Sequence, residues 1–258
     1  MHITVRGQGP DVVMLHGWSM HSAVWHDLAD ALSGHFTLHL VDLPGHGQSN
    51  WQPGDFELDR VLKQLASDLP EMAHWLGWSL GGVISLAFSQ RFPDRVNKLI
   101  LLAATPCFVQ KPDWSQAMQA KVFQDFSNKL KHDQAGTLQR FLLLQARGSD
   151  HSRETIKTLA AQLVAQGPAH AEALAEGLSL LINLDMRVAL SDLRCPVKLV
   201  LGQQDTLIPQ AMVDDALSLN ASLETAVIPG AGHAPFVSHP AECMSSVMAF
   251  LKPETRHD

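Results

Sequence analysis

Leu76-Gly77-Trp78-Ser79-Leu80-Gly81-Gly82 is the stretch on which the reading of this chain turns. The apolar run Met72-Ala73-His74-Trp75-Leu76 leads into it and reads as a buried strand, and a helical pattern follows from Leu80 to Arg91. Between them lies G-x-S-x-G, centred on Ser79. A serine at such a strand-to-helix corner is held in a strained backbone conformation, with its hydroxyl standing out of the sheet. Glycine is needed at 77 and 81 because a side chain would collide across so tight a turn. At ordinary glycine and serine frequencies the motif arises by accident in roughly one chain in ten of this length. Its weight therefore comes from the strand before it and the helix after it.

Outward from the corner, the pattern repeats. Ile3 to Arg6 and Asp11 to Leu15 read as strands joined by Gly7-Gln8-Gly9-Pro10, and the second runs into His16-Gly17-Trp18. Ser22 to Leu32 has helical spacing, Phe36 to Val41 is a strand, and Asp42 to Ser49 is a loop rich in turn residues. Phe56 to Leu69 reads as a helix and Val96 to Leu102 as a strand. Strands alternating with helices over short links imply a parallel sheet covered on both faces. The alternation stops at about Pro112. Helical patterns then run from Trp114 to Leu130, Gln134 to Arg147, Arg153 to Gln166 and Ala169 to Leu184. The sheet resumes at Val197 to Gly202, followed by a helix from Gln210 to Leu219, a strand from Leu223 to Ile228 and a helix from Pro240 to Leu251. The expected architecture is α/β: a mostly parallel sheet of about seven strands. A core from residues 1–110 and 186–258 would carry an inserted helical lid at 111–185.

Composition narrows the function. The chain has 258 residues and a net charge of −7, which disfavours general nucleic-acid binding. No apolar run approaches the roughly 18 residues of a membrane span, and no secretory leader pattern opens the chain; the expected setting is the cytoplasm, and the expected state a monomer. The three cysteines are far apart and show no metal spacing. His16, His21 and His26 lie five apart, which does not stack them on one helical face, so neither metal nor other cofactor is expected.

A serine hydroxyl needs a base, and the base needs an orienting acid. In open α/β sheets such groups gather at the carboxyl ends of strands. Asp205 lies just past the strand ending at Gly202, and His233 just past the one ending at Ile228. The order Ser79, Asp205, His233 is that of an α/β hydrolase. Asp205 also fits a plain turn, and His233 a surface loop; each gains weight because it sits where the other two require it. An oxyanion needs two fixed backbone donors. The Leu80 amide follows the nucleophile, and the His16-Gly17-Trp18 loop offers the Trp18 amide. The Trp18 ring also reads as a core aromatic or a wall of the acyl pocket.

These residues resemble the α/β-hydrolase superfamily along the whole chain. Within it the chain is similar to the pimeloyl-[acyl-carrier protein] methyl ester esterases of biotin synthesis. The similarity is carried by Leu15 to Trp18, His35 to Gly45, Trp75 to Gly82, Pro106-Cys107-Phe108, Arg140-Phe141-Leu142, His233 to Phe236 and Ser238 to Glu242. The resemblance implies hydrolysis of a methyl ester carried on acyl-carrier protein, with release of methanol. It implies that the substrate touches Trp18, Ser79, Leu80, Phe141, Leu142, Leu143, Leu144, Gln145 and His233. Acyl-carrier proteins are acidic, so docking needs a local basic patch. Residues 121–157 carry seven Lys and Arg against four Asp and Glu, which is +3, while the remainder carries −10. The carrier contacts are expected at Arg140, Arg147, Arg153 and Lys157, with Arg140 and Arg147 on one helix and Arg153 and Lys157 on the next. The family has arginines where this chain has Lys157 and Gly136; lysine lacks the bidentate fork and glycine carries no charge. The competing readings are a broad short-chain carboxylesterase with no carrier partner, and a non-catalytic receptor on a hydrolase scaffold. Dehalogenase and epoxide hydrolase chemistry is disfavoured, because those relatives place a carboxylate at the nucleophile position.

Overall fold

The structure is a computed structural model and describes residues 1–252. Its seven strands are β1 (His2–Gly7), β2 (Asp11–Leu15), β3 (Thr37–Asp42), β4 (Ala73–Trp78), β5 (Val96–Leu102), β6 (Val197–Gly202) and β7 (Glu224–Ile228). They form one sheet in the order β1-β3-β2-β4-β5-β6-β7. The β1–β3 pair is antiparallel and every other neighbouring pair is parallel.

The central strands read as continuous apolar runs because both faces are buried. In β2, Val13 and Leu15 enter one core while Val12 and Met14 enter the other; β5 divides Leu99 and Leu101 from Ile100 and Leu102 in the same way. On the first face lie α2 (Leu58–Asp68), α3 (Leu80–Arg91), α8 (Arg187–Ser191) and α9 (Met212–Leu219). On the second lie α1 (His26–Leu32), α10 (Pro235–Ser238) and α11 (Pro240–Leu251). Helix α3 is buried from Leu80 to Ser89 on every side, so it shows no polar face. Between β5 and β6 come α4 (Ala120–Leu130), α5 (Gln134–Ala146), α6 (Ser152–Gln166) and α7 (Ala171–Asn183).

Three local expectations differ from the structure. The helix expected from Trp114 starts only at Ala120. The Trp114 indole instead donates to the Cys107 carbonyl at 2.9 Å, and Met118 N donates to Phe108 O, so the segment folds back as a loop. The helix expected from Ser22 to Leu32 is broken into a 3₁₀ turn, Ser22–Trp25, and α1. The Asp42 carboxylate accepts from Ser22 N at 2.7 Å and fixes that turn. Helix α5 ends at Ala146, and Arg147 is extended, so Arg140 and Arg147 do not share a helix.

Candidate active site

Ser79 sits between β4 and α3 with φ 53 and ψ −115, a conformation that costs a non-glycine residue about 1–3 kcal/mol. The surroundings hold it there. Ser79 N donates to Leu102 O on β5 at 3.0 Å, and Ser79 O accepts from Gly82 N and Val83 N. A Cβ at Gly77 would run into the Gly81 carbonyl, and one at Gly81 into the Leu15 carbonyl. Those two absences let α3 start directly against β2 and β4. Ser19 and Ala103, at φ 68 and φ 42, are the other non-glycine residues with positive φ among the described residues. They lie just beyond the carboxyl ends of β2 and β5, so the strained backbone is confined to this end of the sheet.

The loops after β6 and β7 bring two further groups to Ser79. His233 Nε2 lies 3.0 Å from Ser79 Oγ, and His233 Nδ1 lies 2.8 Å from Asp205 Oδ2. An ionised carboxylate only accepts, so Nδ1 carries the imidazole proton and donates it, leaving Nε2 to accept from the serine hydroxyl. Asp205 is fixed in turn: its Oδ1 accepts from Leu207 N at 2.8 Å and Ile208 N at 3.0 Å. All three side chains are buried. This arrangement can move a proton off the serine as its oxygen becomes a nucleophile.

The backbone amides of Leu80 and Trp18, both buried residues, belong to the segments that follow β4 and β2 at the same end of the sheet. Neither Leu80 N nor Trp18 N donates a hydrogen bond to another group among the described residues. Helices α5 and α7 cover this region. The Trp18 indole donates to Leu174 O at 2.8 Å, and its ring meets Phe141 edge-on at 4.8 Å. A Cβ at Gly177 would stand 3.2 Å from Trp18 and 3.3 Å from Leu80. Of the run expected to touch substrate, Phe141 is therefore beside Trp18. Gln145 is buried, and its carbonyl accepts from His233 N at 3.0 Å. Leu142 packs in the core on the other face of the sheet, and Leu144 is partly buried. Leu143 is not brought to the site: it is 50% exposed. Five consecutive helical residues spaced about 100° apart cannot all face one way.

The sequence alone assigned no supporting role to Trp78, His16, His46 or Asp42. Trp78 donates its indole N–H to the His233 carbonyl at 2.8 Å and is fully buried. His16 Nε2 accepts from Leu43 N at 3.0 Å, so Nδ1–H donates to Gly17 O, which ties the Trp18 loop to the loop after β3. Burial, with His46 nearby, pushes His16 down to about 3; burial takes His46 down to about 4. Asp42 is buried too, which alone would raise it. Hydrogen bonds from Gln48 N and Ser22 N and the nearby His16 outweigh that and hold it below the usual carboxylate range. A His-Gly after a strand and a second tryptophan in the elbow were the available signals.

The basic residues are all exposed: Arg140 on α5, Arg147 just past it, Arg153 and Lys157 one turn apart on α6. Among the described residues no group of three or more His, Cys, Asp or Glu is placed to hold a metal ion, and no helix is long and apolar enough to cross a membrane.

The elbow, the sheet order and the side chains gathered above its carboxyl ends define an α/β hydrolase. The family model described as alpha/beta hydrolase fold matches residues 10–240, and the chain belongs to that family. Solved structures agree on the fold: an esterase from Exiguobacterium antarcticum (TM-score 0.86, 22% identity, 98% of this chain and 95% of that one) and a bromoperoxidase from Bacillus anthracis (TM-score 0.87, 20% identity, 97% and 95%). Within the family, the chain belongs with the pimeloyl-[acyl-carrier protein] methyl ester esterases. It is 42% identical over 251 residues to the one from Xanthomonas oryzae pv. oryzae, covering 97% of this chain and 98% of that protein. It is 41% identical over 253 residues to that of Xylella fastidiosa, with 97% and 98% covered.

Proposed function

We propose that this chain is a serine carboxylesterase of biotin biosynthesis, cytoplasmic and monomeric. It hydrolyses the methyl ester of pimeloyl-[acyl-carrier protein] to the free carboxylate and methanol. The reading rests on the hydrogen-bonded series Ser79, His233, Asp205 in a chain that aligns end to end with esterases of that name. Ser79 Oγ attacks the ester carbonyl while His233 Nε2 takes its proton. Asp205 keeps His233 in the required tautomer and offsets the imidazolium charge. The negative oxygen of the tetrahedral intermediate falls to the Leu80 and Trp18 amides, each worth about 2.7–4 kcal/mol of transition-state stabilisation. Collapse breaks the bond to the methoxy group, which leaves as methanol with the proton from His233. Water then attacks the acyl-enzyme with His233 again as base, and the acid departs from Ser79.

Residues 111–185, with helices α4 to α7, serve as a lid over the serine, and Trp18 and Phe141 wall the acyl chain. The substrate's ester end reaches Ser79 and its carrier end stays outside, which spares the thioester. Arg140, Arg153, Lys157 and Arg147 form the basic ground on which the acidic carrier settles. The test is methanol release from the carrier-linked methyl ester. Turnover by the wild-type chain and none by Ser79→Ala is the expected result. Hydrolysis of small chromogenic esters with no release from the carrier-linked substrate would leave a broad carboxylesterase instead.

A further inference from the structure

Gly177 has no local reason to be glycine. It lies within α7, which runs unbroken from Ala171 to Asn183, and its φ is not positive. In a helix interior glycine is about fivefold less favourable than alanine. The other buried positions of α7, Ala173, Leu174, Leu178 and Leu181, share one face at helical spacing and all carry side chains. Packing does not strictly demand the glycine either. A Cβ at 177 would stand 3.2 Å from Trp18 Cδ1, 3.3 Å from Leu80 Cδ2 and 3.6 Å from Phe56 Cε1. The first two are a few tenths of an ångström short of ordinary contact, and all three are side-chain atoms. At Gly77 and Gly81, by contrast, a Cβ would strike backbone carbonyls, which cannot move aside. Alanine at 177 would favour the helix and displace little. A local preference broken with no local gain marks a functional position.

We propose that Gly177 is a specificity-determining residue: its missing side chain admits the methylenes of an unbranched, medium-length acyl chain between α7 and the side chains of Trp18, Leu80 and Phe56. Leu80 directly follows Ser79, so an acyl group bonded to the serine begins beside it. The Trp18 ring is a fixed wall, tied to Leu174 O at 2.8 Å and packed by Phe141. The end of Leu80 can change rotamer as a chain enters. A Cβ at 177 would be fixed to the helix backbone and could not. Short acyl groups end before the bare strip and do not sense it. The inference rests on acylation of Ser79, as read above, and is independent of the carrier.

The test is the ratio of kcat/KM for p-nitrophenyl hexanoate to that for p-nitrophenyl acetate, measured on the full chain with thermal melting to verify folding. A ratio cancels any general loss of activity. Gly177→Ala should lower it about tenfold, the discrimination one methyl group gives in an apolar pocket. Its Tm should not fall, because alanine favours the helix. Phe56→Leu trims the opposite wall without touching α7 and should raise the octanoate-to-hexanoate ratio roughly threefold. A folded Gly177→Ala chain whose ratio stays within about twofold of wild type would overturn the inference, whether both rates hold or both drop, since a merely structural glycine moves the two esters alike. If Gly177→Ala does not fold, an unchanged chain-length profile in Phe56→Leu overturns it instead. Wild type that cleaves neither ester would defeat the esterase reading and this inference with it. Wild-type turnover with profiles that no variant shifts would defeat the inference alone.

Discussion

Asp205→Asn is the most informative single change, because the structure dictates which way the new amide must turn. Oδ1 of Asp205 accepts from two backbone amides, Leu207 N and Ile208 N, while Oδ2 accepts from His233 Nδ1. Asparagine has one oxygen and one NH₂. Placing the NH₂ at the Oδ1 position would set it against two N–H donors and leave both unpaired in a buried site, at about 1–3 kcal/mol each. The oxygen therefore stays on that side, and the NH₂ faces His233. Nδ1 must then accept, so the imidazole proton moves to Nε2, where it points at Ser79 Oγ and blocks proton abstraction. The fold is untouched, since the substitution is isosteric and both backbone bonds survive. The expected loss is about 10⁴ in kcat, or roughly 5.4 kcal/mol of transition-state stabilisation, by analogy with the wrong-tautomer effect in serine proteases. The assay is steady-state hydrolysis of a p-nitrophenyl ester with thermal melting alongside. Tm should stay within a few degrees of wild type. A folded variant retaining a tenth of wild-type kcat would refute the relay as described.

Two further outcomes follow from groups around the relay. Trp78→Phe removes the N–H that satisfies the His233 carbonyl in a fully buried position packed by Trp25 and Phe236. It should cost about 2–3 kcal/mol, or roughly 5–10 °C in Tm, and lower kcat more than KM; an unchanged Tm would contradict that. The second concerns acid sensitivity. His16 and His46 are held neutral at about 3 and about 4, whereas the unfolded chain takes up protons at about 6.5. Between these limits the unfolded state binds more protons, so stability should fall as pH drops from about 6.5 to 4, by up to about 1.4 kcal/mol per pH unit for each histidine. Above about pH 7.5 these two groups contribute no slope. Urea midpoints across that range measure it, and His46→Asn, which keeps a donor for the Pro44 carbonyl, should roughly halve the slope. Midpoints flat from pH 7 to 5 would show that the two rings are not buried neutral.

Much of the fold was legible because its signals are local. Continuous apolar runs at β2, β4, β5 and β6 mark strands buried on both faces, and the elbow glycines mark the turn at Ser79. The loops holding Asp205 and His233 followed from strand ends plus glycine and proline. What the sequence left hidden depends on distant partners. Trp114 reads as the start of a helix, but its indole answers a carbonyl seven residues back. Trp78 and His233 are 155 residues apart, and nothing periodic announces their bond. His16 looked like one more histidine until Leu43 N was placed beside it. The family resemblance places Leu143 with its neighbours in one substrate-touching run, but helical geometry turns it outward.

The most direct measurement is rapid-quench methanol release from pimeloyl-carrier methyl ester, read together with the intact mass of the enzyme. If deacylation limits turnover, methanol should appear in a burst stoichiometric with enzyme, while the acyl group is found on Ser79. Asp205→Asn should slow the burst, and Ser79→Ala should abolish both signals. Methanol release by Ser79→Ala at the wild-type rate, or an acyl group carried on any other residue, would contradict the account.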